Sequence, residues 1–224
     1  MNHKKLIIVG DSAFAEIARE YFDYDSDYEV VGFAVEKAYL KQEELHGLPV
    51  EPYEDLVSKY DPKSHDVYVA VVYSQLNRLR TRLANRAKEM GYQLASYVSS
   101  KAFVWKNVEL GEHCFIFEDN TVQPFVKIGR NVILWSGNHI GHHSVVHDNC
   151  FISSHVVIAG FCEIGENSFL GVNATLANNL KIGKDNWIGP NTAIMKNTED
   201  GAFYKTIQPE AAKISAPRFF KIND

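Results

Sequence analysis

The chain has 224 residues, of which 46% are hydrophobic and 23% charged, a composition typical of a folded globular protein. Its formal net charge of -5, without a long basic cluster, argues against nucleic acid as the main partner. No apolar run in the sequence is long enough for a membrane span or a signal peptide, so we expect a cytoplasmic protein.

The N-terminal residues 1–98 alternate between strand-like and helix-like patterns. The predicted elements are a strand at 6–9, a helix at 12–22, strands at 29–33 and 67–72, a helix at 74–90 and a strand at 93–98. Strands that alternate with helices favour a parallel sheet with helices packed on it. We therefore predict a small Rossmann-like α/β domain for this part of the chain.

The turn after the first strand is a candidate ligand site. Its residues are Gly10, Asp11, Ser12, Ala13 and Phe14. A dinucleotide fingerprint needs three glycines at fixed offsets and only Gly10 is present, so NAD binding is not indicated. Two interpretations remain open. One is an ordinary turn capped by Asp11 or Ser12, and the other is a nucleotide site with Glu36 or Lys37 near the nucleoside.

The following segment carries a six-residue repeat. From Val104 to Ile194 an aliphatic residue occupies every sixth position, sixteen times without exception. Neither a helix nor a simple strand has this period, whereas a solenoid with three six-residue faces requires it. We therefore predict a parallel β-helix over residues 99–197, with about five coils of 18 residues each. Residues 198–224 then form a C-terminal tail.

Two further columns of the repeat support this interpretation. The residue two before each aliphatic is mostly small and should share the interior; Cys114, Cys150 and Cys162 lie there, so we expect reduced, space-filling thiols. The residue three after each aliphatic is Asn, Asp, His or Gly at 14 of 16 positions, which predicts a corner with left-handed backbone geometry. The two exceptions are Phe125 and Phe161.

Histidines provide the strongest chemical signal. Five of the nine, His139, His142, His143, His147 and His155, lie within 17 residues. His143 and His155 share the corner column with His113, and are expected to be turn residues. His142 should point outward, and one coil later the chain has Gly160, about 4.8 Å away in such a stack. An imidazole base beside an exposed backbone amide suits acyl transfer.

These features together resemble the two-domain hexapeptide-repeat acyltransferases. This group contains sialic acid O-acetyltransferase-like proteins and nucleotide-aminosugar N-acetyltransferases such as the bacillosamine-pathway enzyme. The resemblance covers the first strand and its glycine turn, the 30–33 strand, Asn77 with Arg78 or Arg80, and the coils. It implies a left-handed β-helix and a homotrimer.

The resemblance also implies an activity, the transfer of an acetyl group from acetyl-CoA to a nucleotide-linked amino sugar in bacterial surface glycan (O-antigen polysaccharide) biosynthesis. By this resemblance His142 is the catalytic base with His143 beside it. Acetyl-CoA would contact Gly160, Asn178, Gly189 and Pro190. The nucleotide sugar would contact the turn from Gly10 to Phe14, together with Glu36, Lys37 and Asn77. The group usually has an acidic residue after its catalytic histidine, and His143 departs from that pattern.

Three alternatives remain open at the level of sequence. The spacing does not distinguish an amine acceptor from a hydroxyl acceptor, so a sugar O-acetyltransferase is possible. His142 and His147 also resemble part of the zinc site of γ-class carbonic anhydrases, for which His113 is the one upstream candidate in the coils. The third alternative is a non-enzymatic trimeric β-helix. Its outward aromatic residues would form the interface: Trp105, Phe117, Phe125, Trp135 and Phe161.

Overall fold

The computed structural model describes residues 4–222 and begins with a six-stranded sheet. The elements are β1 Lys4–Val9, α1 Ala13–Asp25, β2 Tyr28–Val35, β3 Glu44–Leu45, β4 Leu48–Pro52, α2 Leu56–Lys59, β5 His65–Val69, α3 Arg78–Glu89 and β6 Gln93–Leu94. Short 3-10 helices lie at Lys37–Tyr39 and Tyr53–Asp55. The strand order is β3-β4-β2-β1-β5-β6, and all neighbours are parallel except the β3–β4 hairpin. The predicted Rossmann-like domain is confirmed.

Three details of this domain differ from the sequence prediction. Helix α3 begins at Arg78 rather than near residue 74, because Gln75, Leu76 and Asn77 all have positive φ, which no right-handed helix accepts. The β3–β4 hairpin was not predicted. The single closing strand at 93–98 is wrong: Gln93–Leu94 pairs with β5, whereas Tyr97–Val98 pairs with the next domain.

The rest of the described chain is a left-handed parallel β-helix of two-residue strands. They are β7 Tyr97–Val98, β8 Phe103–Val104, β9 Glu109–Leu110, β10 Phe115–Ile116, β11 Thr121–Val122, β12 Lys127–Ile128, β13 Ile133–Leu134, β14 His139–Ile140, β15 Val145–Val146, β16 Phe151–Ile152, β17 Val157–Ile158, β18 Glu163–Ile164, β19 Phe169–Leu170, β20 Thr175–Leu176, β21 Lys181–Ile182, β22 Trp187–Ile188, β23 Ala193–Ile194 and β24 Phe203–Tyr204. A short helix, α4 Ala216–Phe219, follows.

These strands form three faces of a triangular prism. The first face contains β7, β10, β13, β16, β19, β22 and β24; the second runs from β8 to β23, and the third from β9 to β21. Along the first face Phe115 pairs with Ile133 and Ile133 with Phe151, a register of 18 residues. The predicted coil length is confirmed. We call the turns from first to second, second to third and third to first face the first, second and third corners.

The repeat columns take the roles that the sequence predicted. The aliphatic column is buried throughout except near the open first coil, where Val104 is half-buried and Leu110 is 40% exposed because no earlier coil covers it on the third face. Every corner residue from His113 to Asn191 has a positive φ, between 56° and 75°. Even Phe125 and Phe161 adopt this geometry, although bulky side chains rarely do.

The α/β domain packs on the first face through aromatic rings. Phe14 and Tyr21 of α1 contact Phe117, and Phe117 stacks on Trp135 at 4.4 Å between ring centroids. Phe117 and Trp135 are therefore covered within one chain, and their prediction as subunit-interface residues is wrong. The other predicted interface aromatics stay exposed: Trp105 by 40%, Phe125 by 56% and Phe161 by 53%.

A buried polar network joins the two domains at the third corner. Arg80 of α3 has no exposed surface and donates to the side-chain oxygen of Asn131 at 2.9 Å and to its carbonyl at 2.7 Å. The Val69 amide donates to His113 Nε2 at 2.9 Å, and His113 Nδ1 lies 2.8 Å from the same Asn131 oxygen. Burial lowers the pKa of His113 to about 3, so its ring is neutral.

Two further predictions concern the environment of the protein. Cys114, Cys150 and Cys162 are buried and unpaired, as the small interior column predicted. Burial raises the pKa of Cys114 to about 11 and that of Cys150 to about 12, so these thiols are inert packing groups. Within residues 4–222 each helix is too short or too polar to cross a bilayer.

Candidate functional site

His142 lies exposed at the second corner, immediately after β14. Its backbone N–H donates to the Gln123 side-chain oxygen at 2.9 Å, which fixes the turn. Its Nδ1 lies 3.2 Å from Nδ1 of His143, and its ring meets the Phe161 ring edge to face at 5.0 Å. Its Nε2 has no hydrogen-bond partner within residues 4–222, so that atom is available to a ligand.

Gly160 occupies the equivalent position one coil later and faces the His142 ring. A Cβ built on Gly160 would lie 2.8 Å from His142 Cε1 and 3.0 Å from Nε2, closer than real contacts. Only glycine leaves the imidazole in place here. The predicted pairing of outward histidine and bare backbone is therefore present in the structure, and Nε2 is the nitrogen that lies toward Gly160.

The Gly160 amide is already engaged. Its N–H donates to the Asn178 side-chain oxygen at 3.0 Å, and Asn178 lies exposed one further coil along the same corner. The sequence predicted Asn178 as an acetyl-CoA contact without this bond. The amide can meet a ligand only if Asn178 turns away, which its exposed position allows.

The other candidate cofactor residues lie elsewhere on the prism. Gly189 and Pro190 follow β22 and belong to the first corner, whereas His142, Gly160 and Asn178 belong to the second. The Gly189 N–H donates to the carbonyl of Tyr204, and the Pro190 carbonyl accepts from the Thr206 hydroxyl at 2.7 Å. Within one chain the structure does not bring these two sets of residues together.

The remaining histidines are separated. His147 lies on the third face and its Nε2 contacts the Glu163 carboxylate at 2.9 Å, which lowers the pKa of Glu163. Both nitrogens of His113 are hydrogen bonded inside the domain junction. Among residues 4–222 no group of three or more metal-binding side chains is arranged around one point. The zinc alternative therefore loses the third ligand that the sequence offered it.

A second cavity lies at the carboxyl ends of the parallel strands in the α/β domain. Its volume is about 380 Å³, and Gly10, Asp11, Ser12, Glu36 and Arg82 are among its lining residues. Here Gly10 is needed for geometry: its φ is +127°, and a Cβ would lie 2.8 Å from the Ala70 carbonyl oxygen. Its N–H donates to Ala34, so the ligand-facing amides are those of the following residues at the start of α1.

Glu36 at this cavity is held by Arg82, which the sequence analysis missed. The guanidinium donates to both carboxylate oxygens, at 2.7 Å and 2.9 Å, and these bonds lower the pKa of Glu36. The position of Arg82 one helical turn after Arg78 was the available signal. The pair forms a charged wall of the cavity.

Several predicted contacts with the nucleotide sugar are corrected by the structure. The Phe14 ring is 3% exposed and packs on Phe115 at 5.7 Å, and Ala13 does not line the cavity. Lys37 turns away and pairs with Asp55 at 2.9 Å. Asn77 has no exposed surface, and its side-chain nitrogen donates to the Asn167 carbonyl at 3.3 Å. These side chains support the fold rather than face the cavity.

The comparisons with known proteins agree with this architecture. The family model described as bacterial transferase hexapeptide (six repeats) matches residues 143–178. The acetyltransferase domain of PglB from Neisseria gonorrhoeae, also solved with acetyl coenzyme A, is 21% identical over 90% of this chain and 96% of that chain, with a TM-score of 0.80. No curated protein matches the sequence.

Two other solved structures have the same shape. PerB, the perosamine N-acetyltransferase of Caulobacter crescentus, solved with CoA and GDP-perosamine, is 22% identical over 89% of this chain and 92% of that chain, with a TM-score of 0.79. WeeI from Acinetobacter baumannii is 20% identical over 88% and 94% of the two chains, with a TM-score of 0.68. At these identities the likeness establishes the fold, and the predicted resemblance is confirmed at that level.

Proposed function

We propose that the protein is an acetyl-CoA-dependent N-acetyltransferase that acts on a nucleotide-linked amino sugar, in the biosynthesis of bacterial surface glycans such as O-antigen. The observation that carries this proposal is the free Nε2 of His142 beside the backbone of Gly160. A base next to a backbone N–H is what acyl transfer requires. The solved neighbours support it, since two of them were solved with coenzyme A or its acetyl form.

In this proposal the sugar amine attacks the carbonyl carbon of the acetyl thioester. His142 Nε2 takes the proton of the amine as the C–N bond forms. The Gly160 N–H, released by Asn178, donates to the oxygen that becomes negative. The C–S bond then breaks, and the imidazolium returns its proton to the departing CoA sulfur. The ring is neutral at the start and at the end, so one histidine completes the cycle.

The cavity at the start of α1 suits the nucleotide part of the substrate. Unpaired amides at a helix N-terminus and the helix dipole favour phosphate oxygens. Gly10 permits close approach of the backbone, and the Glu36–Arg82 pair offers both an acceptor and donors to a nucleoside. An amino sugar attached to that phosphate would then extend out of the α/β domain.

One chain does not contain a complete site, which is our argument for a homotrimer. The α/β domain covers the first face, and the second corner with His142 is the corner opposite that face. A substrate held by the α/β domain of one copy can meet a histidine from a neighbouring copy instead. The second face beside His142 exposes Phe103, Trp105, Val157 and Met195, by 40% to 69%, and offers an apolar surface for that contact.

The same assembly would unite the predicted acetyl-CoA contacts. Gly189 and Pro190 lie at the first corner and Gly160 and Asn178 at the second, so a groove between adjacent prisms can present both sets to one cofactor. The three unpaired, buried cysteines fit a reducing compartment and so the predicted cytoplasmic location.

The proposal is tested by following CoA release with acetyl-CoA and a panel of nucleotide-linked amino sugars, their hydroxyl counterparts and a metal analysis of the same preparation. We expect release with an amino sugar, and a loss of at least about 100-fold in kcat in His142→Ala. His65→Ala, at a histidine far from the second corner, is the matched control and should keep full activity. Full turnover in His142→Ala would refute the assignment, and transfer to a hydroxyl sugar alone would identify an O-acetyltransferase.

A further inference from the structure

The corner column contains a local anomaly beside His142. Fourteen of the sixteen corner positions hold Asn, Asp, His or Gly, which tolerate a left-handed backbone. The two exceptions, Phe125 and Phe161, are the residues one coil before and one coil after His143, with φ of 66° and 58°. Left-handed geometry disfavours a bulky aromatic side chain, and departures of this kind concentrate at functional sites.

The two phenylalanines hold the His143 ring between them. The Phe125 ring stacks on His143 at 4.6 Å with an interplanar angle of 28°, and Phe161 stacks on the other side at 4.9 Å and 19°. Phe161 also meets His142 edge to face at 87°. The stack therefore fixes the orientation of both imidazoles and brings their Nδ1 atoms to 3.2 Å.

A hydrogen bond between two Nδ1 atoms contains one proton, so one ring donates and the other accepts. For Nε2 of His142 to be an unprotonated base, its own Nδ1 must hold the proton. Nδ1 of His143 must then be the acceptor, and the proton of the neutral His143 ring lies on Nε2. The opposite arrangement would place a proton on His142 Nε2 and remove the base.

We infer that His143 is a positioning residue that fixes the catalytic tautomer of His142 by accepting its Nδ1 proton, with Phe125 and Phe161 as the clamp that aims it. This inference rests on the proposed function. When His142 takes the proton of the amine, its Nδ1–H becomes a charge-assisted donor to the same His143 nitrogen. The bond is thus stronger in the transition state than in the resting enzyme, which is the condition for raising kcat rather than lowering KM.

The decisive variant is His143→Phe, because the chain already uses Phe at the two neighbouring corners. The ring, the stack and the backbone geometry are kept, and only the accepting nitrogen is lost. We expect kcat to fall about 10- to 100-fold with unchanged KM for both substrates and an unchanged oligomer. His143→Glu supplies a carboxylate acceptor in place of the ring nitrogen and should retain most of kcat.

Two further measurements separate positioning from packing. In Phe161→Asn the corner regains the residue type that the rest of the column prefers, so the fold should be as stable or more stable while kcat falls. Nitrogen NMR of histidine-labelled protein should find His142 protonated on Nδ1 in the parent and shifted toward the Nε2–H form in His143→Phe. The His142 signals are assigned by their loss in His142→Ala.

The outcomes distinguish this inference from the proposed function. Parent-like kcat in His143→Phe, or a parent protein whose His142 holds its proton on Nε2, would overturn the tautomer role. If the parent transfers no acetyl group to any acceptor, the proposed function fails, and the NMR result alone decides whether His143 accepts from His142. Equal losses in His143→Phe and His143→Glu would also overturn it, because an acceptor would then be irrelevant.

Discussion

The buried histidine of the domain junction should make stability depend on pH. His113 is 1% exposed, its Nε2 accepts from the Val69 amide, and its Nδ1 donates to Asn131. Protonation of Nε2 would break the bond from Val69 and place a second positive charge beside Arg80. The folded pKa is accordingly lowered from 6.5 to about 3, with desolvation as the largest cause.

The sign and size of the effect follow from proton linkage. Between about pH 6.5 and pH 3 the unfolded chain binds a proton at His113 and the folded chain does not, so the free energy of unfolding falls as pH falls through this window. At about 1.36 kcal/mol per pH unit, lowering the pH from 7.5 to 5.0 should remove about 2 kcal/mol through His113 alone. At pH 5 this figure does not depend on whether the folded pKa is 3 or 4.

The assay is urea unfolding at pH 7.5 and pH 5.0, at one protein concentration, for the parent and for His113→Asn. Asparagine occupies most other corners and does not titrate, so the fold should tolerate it. Other titrating groups contribute equally to both proteins, and the loss between the two pH values should be about 2 kcal/mol smaller in the variant. An identical loss in both proteins would refute the reasoning, whatever the absolute stabilities.

Three other outcomes are expected. Gly160→Ala should push the His142 ring and reduce kcat about 100-fold, with an unchanged circular dichroism spectrum; unchanged kcat would mean that the ring has room. Asn178→Ala frees the Gly160 N–H from a bond worth about 1 kcal/mol, so the KM for acetyl-CoA should fall up to about fivefold; a rise would mean that Asn178 itself binds the cofactor. Arg80→Met leaves buried carbonyls unpaired and should cost about 3–5 kcal/mol in urea unfolding; a loss below about 1 kcal/mol would show that the network adapts.

The chemistry at the second corner was partly readable from the sequence, because a fixed coil length converts sequence separation into spatial adjacency. Adding 18 residues to His142 leads to Gly160, and the structure places those two groups in contact. The same addition leads to Asn178, but no periodicity indicates that its side chain would bond to the Gly160 amide. That bond depends on a side-chain rotamer.

The sequence by itself determined the β-helix. Each six-residue segment must send one aliphatic side chain into a narrow interior and turn a corner at positive φ, and both demands are local and repeat in every coil. The period therefore appears in the amino acids before any contact is known, and the corner column carries it through His113 and His143 as well as through the asparagines.

Only the tertiary structure decided how the α/β domain attaches and which of its residues are free to act. Phe14, Asn77 and Arg80 read as turn or site residues in the sequence, yet all three are buried against the β-helix. Their surroundings come from segments 50 to 100 positions away, such as Asn131 for Arg80 and Asn167 for Asn77. No short-range pattern encodes such contacts, because they depend on where one folded domain docks on another.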